Sequence, residues 1–146
     1  MLIETKFFDQ LNVAELYEIL RLRSAVFVVE QNCVYQDIDD KDKDALHIIG
    51  RIDNEIVAYA RCFPKGIYFD HAAIGRVLIK NTYRGKALGH NLIKTAVEAV
   101  EKEFGKQPIL ISAQTHLSEF YEAHQFKKIG EGYLEDGIPH HKMLRD

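Results

Sequence analysis

The sequence predicts an α/β fold, in α+β order, with a central mixed β-sheet of about seven strands flanked by helices. Three observations carry this. Short apolar or alternating runs recur along the chain at strand length, and two amphipathic helical patterns interrupt them. The order strand, helix, strand over residues 72–114 requires a parallel crossover between the fourth and fifth strands. The turns Asp53-Asn54 and Asp136-Gly137 join neighbouring runs as hairpins, which makes the rest of the sheet antiparallel.

The elements follow in order. LIETKFF, residues 2–8, reads as the first strand. Asn12 and Glu15 form a capping box for a helix from about Val13 to Ala25, with Leu16, Ile19, Leu20 and Arg23 at helical spacing. The apolar run VFVVE follows, and QNCVYQDIDDKDKD is a polar loop with one short helical turn. ALHIIGRI and EIVAYARCF form the first hairpin, AAIGRVLIK the fourth strand and PILISAQ the fifth. Between the last two lies a helix ending near Phe104-Gly105, where glycine suits the cap. Leu88, Leu92, Ile93, Ala96, Val97 and Val100 form its sheet-facing stripe. HLSEFYEAHQF reads as a shorter helix, and KKIGEGYLE and HHKMLR as the last two strands.

A chain of 146 residues, read as one domain over 1–146, buries enough surface to fold without staples. Its 47% hydrophobic and 28% charged residues are globular values, and a net charge of −3 removes the basic footprint of a nucleic-acid binder. No apolar run spans a bilayer and MLIETKFFDQL lacks a signal-peptide pattern, so the expectation is a cytoplasmic protein off the membrane. Cys33 and Cys62 stand far apart without metal-ligand spacing, and no metal is expected.

The stretch YRGKALGH, residues 83–90, opens the long helix with Arg84, Lys86 and His90 and no carboxylate. Helix N-termini present unpaired N–H groups and partial positive charge, so acids are usual there. A bound anion is the economical explanation. The GxxxxGK[ST] and GxGxxG loops are both absent.

The run Arg84-Gly85-Lys86-Ala87-Leu88-Gly89 resembles the acetyl-coenzyme A signature R/Q-x-x-G-x-G/A of the GNAT superfamily of N-acetyltransferases, with Ala87 in place of a required glycine. Together with RLRSAVFVVEQNCVYQDIDDKD, LHIIG, SAQTHLSEFYEAHQF and YLEDGIPHHKM, it makes nearly the whole chain similar to the ElaA-like branch. The resemblance implies the GNAT acyl-CoA N-acyltransferase fold, in which the fourth and fifth strands splay around coenzyme A. It places Val77, Leu78 and Ile79 against the acetyl and pantetheine groups and residues 84–90, Leu88 and His90 included, around the pyrophosphate. Gln114, at the polar end of the fifth strand, is a further cofactor-binding candidate. Alanine at 87 costs nothing in a right-handed helical conformation, which is therefore expected; a positive φ would strain the turn.

Transfer of an acetyl group to an amine needs a neutral amine, a polarised carbonyl and an acid for the leaving thiolate. By resemblance Tyr121 is that acid, and a phenol with an ordinary pKa of about 10 is protonated at neutral pH. Glu30, at the edge of the apolar VFVV run, is the first candidate base; His140, His47 and His71 are alternatives, and a water chain with no single base is another. Of the five aspartates from Asp37 to Asp44, Asp40, Asp42 and Asp44 open like an EF-hand loop, but Ala45 and Arg51 occupy the places that need Gly and Glu. A solvated acidic loop is expected, or an acidic rim drawing in a cationic acceptor, with Arg23 pairing one of the acids.

The implied activity is acetyl-coenzyme A-dependent N-acetylation of a primary amine on a small molecule or peptide. A non-catalytic coenzyme A-binding module of the same fold is the other reading. Aromatic residues near the C-terminal hairpin would permit a homodimer.

Overall fold

A computed structural model describes residues 1–146, and its element order follows the sequence reading. Strands are β1 (Leu2–Phe7), β2 (Leu46–Ile52), β3 (Glu55–Phe63), β4 (Ala72–Ile79), β5 (Ile109–Gln114), β6 (Lys127–Glu135) and β7 (Ile138–Arg145). Helices are α1 (Val13–Arg23), α2 (Leu88–Phe104) and α3 (Ser118–Glu122). The seven strands form one sheet in the order β1-β2-β3-β4-β5-β7-β6. Only β4 and β5 are parallel, as the crossover through α2 demands.

The sheet is covered on both faces. On one, Leu92, Ile93, Ala96 and Val100 of α2 are inaccessible to solvent and pack on Ile48, Val57, Ala60 and Ile111. On the other, Ile19 and Leu22 of α1 meet Ile49, Tyr59 and Leu78. Each fully buried aliphatic side chain contributes roughly 1.5–3 kcal/mol, so these two layers fix the sheet between them.

Local signals explain most boundaries. Asn12 accepts from the Glu15 amide and Glu15 returns the bond, closing the predicted capping box. Asp53 and Asn54 have φ of 51° and 68°, the left-handed pair of a two-residue hairpin. Gly105, at φ 89°, ends α2.

Three elements differ from expectation. The VFVVE run is not a separate piece: α1 widens at Ser24 into a π-helical segment lasting to Glu30. The helix expected over residues 116–126 is a single α turn after a 3-10 turn at Thr115–Leu117, and Gln125 at φ 71° stops it. The last strand begins earlier, at Ile138, and tolerates Pro139 because the β5 pairing begins only at His140, leaving that edge free of ladder bonds.

The acidic loop is also not a solvated rim. Asp37 accepts from Arg23 and Arg76, Asp39 from Arg61, and Asp42 from both Arg23 and Arg61, the last two at 2.6 and 2.9 Å. Arg23 and Arg61 are buried at 0% and 1% exposure, which demands such partners. Burial would raise the Asp39 carboxyl, but the hydrogen bond and charge of Arg61 outweigh it and bring it down to about 2. The Arg23 pairing expected from sequence is part of this network. Nothing in the linear pattern shows that arginines from α1, β3 and β4 converge on one loop.

Candidate active site

The site begins with a failure of pairing. β4 and β5 bond only at Ala72–Ile109 and Ala73–Leu110, then diverge. The cause is in β4. Arg76 and Val77 together face the single residue Ala60 of β3, and Arg76 sits at φ 49°, so a bulge turns the strand away from its neighbour. The edge of β4 from Ile74 to Ile79 is left without a strand on the β5 side. A cleft of about 800 Å³ opens there, lined by Val77, Leu78, Ile79, Gln114, Tyr121 and His140 among others. The bulge was not read from the sequence; Gly75-Arg76 inside a strand pattern was its only trace.

At the end of β4 the chain enters the turn at residues 83–90. Helix α2 starts at Leu88, with no side chain capping its N-terminus and no acid in its first turn. Its terminal N–H groups are therefore open to a ligand anion. Lys80 and Tyr83 bind Glu55, anchoring the start of the turn to β3. Gly85 adopts φ 80° with no atom within 4 Å of where a Cβ would stand. Lys86 is exposed, its ammonium 5.4 Å from the Tyr83 ring centre. A Cβ at Gly89 would lie 3.2 Å from the Phe120 ring, so glycine allows the helix start to press on α3.

Ala87 corrects the expectation of a right-handed conformation. It is left-handed, at φ 58° and ψ 21°. The chain needs the positive φ of the usual glycine to turn from the exposed loop into α2, whose axis is already fixed by its packing, and the alanine is strained there by about 1–2 kcal/mol.

Arg84 is engaged within the protein. Its Nε donates to the Ile79 carbonyl at 2.9 Å, and its two terminal nitrogens bind Glu30 at 2.5 and 3.1 Å. Glu30 is thus not a free base at an apolar edge. It ends the π-helical segment with both oxygens held by a guanidinium, and it supplies the anion that the turn lacks in sequence. His90, in the first turn of α2, lies 2.9 Å from His124 through ring nitrogens. Burial and the neighbouring His90 charge both lower the His124 pKa.

Tyr121 is 7% exposed and reaches the cleft from α3. Burial alone pushes its phenol pKa up, with no hydrogen bond or charge contributing, so it holds its proton through the neutral range. Phe120 lines the cleft beside it, and Phe126, 1% exposed, belongs to the core.

His140 is 6% exposed on β7, opposite Gln114 of β5. Its Nδ1 lies 2.7 Å from the Ile138 carbonyl. A carbonyl only accepts, so Nδ1 carries the proton in the neutral ring and Nε2 presents a lone pair. That Nε2 lies 3.4 Å from Glu135. Gln114 donates to Gln31 at 3.2 Å across the cleft mouth. Of the other histidines, His47 is buried between Tyr59 and the Asp42 carbonyl, and burial lowers its pKa, making it structural. His71 does not line the cleft.

The structure therefore brings Tyr121, His140, Gln114 and the β4 edge into one cleft and sets the Arg84 turn at its end. Glu135 and Ser112, which sequence reasoning missed, join it from the C-terminal hairpin and β5, with the Tyr133 hydroxyl bonded to Ser112. No group of three metal-ligating side chains is present.

A mixed sheet split between its parallel strands, with an uncapped helix start at the end of the split, forms a groove suited to an extended ligand that carries an anion. The chain belongs to the acetyltransferase (GNAT) domain family, which matches residues 12–145. It is 42% identical to protein ElaA of Escherichia coli over 140 residues, covering 94% of this chain and 92% of the relative. The crystal structure of Escherichia coli ElaA superposes with a TM-score of 0.92 at 39% identity over the full length of both chains. That of an acyl-CoA N-acyltransferase from Pseudomonas aeruginosa gives 0.93 at 37% identity, again over both full lengths. No helix is long and apolar enough to cross a membrane.

Proposed function

We propose that the protein is an acetyl-coenzyme A-dependent N-acetyltransferase acting on a primary amine. The observation that carries this is the β4–β5 cleft, which joins a free main-chain edge, an uncapped helix start and a buried phenol in one continuous groove. The free edge of Val77 to Ile79 suits an extended amide-bearing arm, and the helix start suits a pyrophosphate. Bound there, acetyl-coenzyme A supplies the activated thioester carbonyl. Lys86 and Arg84 add positive charge near the phosphates, Arg84 by exchanging its Glu30 partner or by holding the turn through Ile79.

The chain's own residues complete the chemistry. An alkylamine arrives protonated, since its ordinary pKa is near 10, so a base must take a proton before attack. His140 Nε2 offers a lone pair, oriented by the Nδ1 bond to Ile138, and a proton gained there is held by Glu135. As the amine nitrogen bonds to the carbonyl carbon and the carbon–sulfur bond breaks, Tyr121 gives its phenolic proton to the departing sulfur. The nitrogen sheds its second proton to restore the Tyr121 phenol, so the amide and the thiol leave with one proton remaining on His140, which returns it to water.

The test is turnover and binding together. Tyr121→Phe should lower kcat by about 10²–10⁴-fold, the range of a lost general acid, while calorimetry shows acetyl-coenzyme A bound as tightly as before. Binding without acetylation of any amine by the unaltered protein would favour the non-catalytic module. A thermal shift sets the threshold: a ligand at about 100 times its Kd stabilises by roughly 2.7 kcal/mol, and no shift with either coenzyme A or acetyl-coenzyme A defeats both readings.

A further inference from the structure

The cleft contains four carboxylates, and they are not equivalent. Glu30 is held on both oxygens by Arg84, and Asp39 by Arg61 with Arg76 at 3.6 Å. Each is already neutralised by a guanidinium, so an incoming cation gains less there than at an unpaired carboxylate. Asp136 sits in the β6–β7 turn at φ 50°, where its main-chain carbonyl receives the Cys33 thiol. Glu135 differs from all three. One of its oxygens accepts from the Ser112 hydroxyl at 3.3 Å and the other lies 3.4 Å from His140 Nε2, while no lysine or arginine reaches it. Its side chain is 49% exposed at the cleft mouth, open to an incoming ligand.

The surroundings also suit a cation. The Tyr133 ring stacks on His140 at 6.1 Å, and its hydroxyl pairs with Ser112, which fixes the imidazole and the Ser112 oxygen on either side of Glu135. Tyr68, from the loop before β4, shares a small annex of the cleft with Glu135 and Ser112. It presents a ring to which cations already gather, Lys41 at 6.0 Å and Arg61 at 5.8 Å. A hydrated ammonium leaves water at small cost only where an unneutralised carboxylate receives it, and Glu135 meets that condition without displacing a cation.

We propose that Glu135 is the receptor for the acceptor's ammonium group, so that the acceptor class is a primary alkylammonium rather than a neutral arylamine or an alcohol. This rests on the acyltransferase reading above. Glu135 binds the cation beside His140, whose Nε2 lone pair takes one of its protons. The same carboxylate then faces the imidazolium that forms. The cleft acid held only by Ser112 and His140, with no arginine on it, is thus the one that selects the substrate.

The experiment needs no knowledge of the natural acceptor. Coenzyme A is alkylated on sulfur with tails of graded length ending in an amino group or, in matched controls, a methyl group, and each Kd is measured by calorimetry. At the best length the amino tail should bind the unaltered protein about tenfold more tightly than the methyl tail, the worth of one charge-assisted hydrogen bond. Glu135→Gln should remove that preference while leaving unmodified coenzyme A affinity unchanged, and Asp136→Asn should keep it. Equal binding of both tails to the unaltered protein, or a preference that survives Glu135→Gln or disappears in Asp136→Asn, overturns the assignment. Failure of unmodified coenzyme A to bind would instead overturn the acyltransferase reading itself.

Discussion

Two sets of arginine–carboxylate pairs lie on either side of the cleft and do opposite work. Beneath the loop of residues 37–44, Arg23 and Arg61 are buried with several carboxylate bonds each. At the turn, Arg84 and Glu30 form a single pair with side chains 41% and 35% exposed. The chemistry is the same and the solvent is not. Buried charges cannot be separated without leaving one uncompensated, so the first set is fixed structure. An exposed pair is worth only about 0–1 kcal/mol, so the second can be exchanged for a ligand anion.

The largest effect should come from the buried set. Asp42→Ala leaves Arg23 and Arg61 each short of a carboxylate and should destabilise the fold by about 3–5 kcal/mol, read by chemical denaturation. A loss below about 1 kcal/mol would show the network to be no more constraining than the Arg84 pair. Acid should expose the same difference by a gentler route. His47 is held neutral by burial, with a folded pKa below its ordinary 6.5, so its contribution is present above pH 6.5 and declines as pH falls below it. The depressed Asp39 contributes above its ordinary value of 3.8 and is lost as pH falls toward about 2. Stability should therefore fall in two stages, the first reduced in a His47→Gln variant, with the depressed His124 accounting for what is left of it. A single transition unchanged by that substitution would break the assignment.

Much of the fold was legible because its signals are local. The Asn12–Glu15 box, the Asp53-Asn54 and Asp136-Gly137 turns and the α2 stripe each act over a few residues, and each is found in place. The site was legible to the extent that it rides on those elements: the uncapped start of α2 and the end of β4. What could not be read depends on long-range contact. Arg76 becomes a bulge because of its register with β3, Glu30 loses its freedom to an arginine 54 residues away, and Glu135 gains meaning only beside Ser112 and His140. Ala87 failed for a further reason: helix propensity favours a right-handed alanine, but the path of the chain into α2 overrides it.

That strain offers a sharper probe of the turn. Ala87→Gly should relieve the left-handed penalty of about 1–2 kcal/mol, offset in part by the greater freedom of glycine in the unfolded chain. A net gain of about 1 kcal/mol or less is expected in thermal unfolding, with coenzyme A affinity kept because the backbone donors are the same. Destabilisation would mean that the methyl group makes a contact the turn requires.

The smallest stability effect, and the most direct on the comparison, belongs to Glu30→Gln. The amide can still accept a hydrogen bond from Arg84 but no longer neutralises it, so unfolding should shift by no more than about 1 kcal/mol. Coenzyme A affinity should nevertheless rise severalfold at low ionic strength, because the guanidinium no longer has a carboxylate competing with the phosphates. The gain should shrink as salt screens the turn, over a Debye length of about 10 Å at 0.1 M. A buried pair would behave the other way, losing stability heavily and responding little to salt. Weakened coenzyme A binding in Glu30→Gln would show that the pair shapes the turn for its ligand rather than standing in the ligand's place.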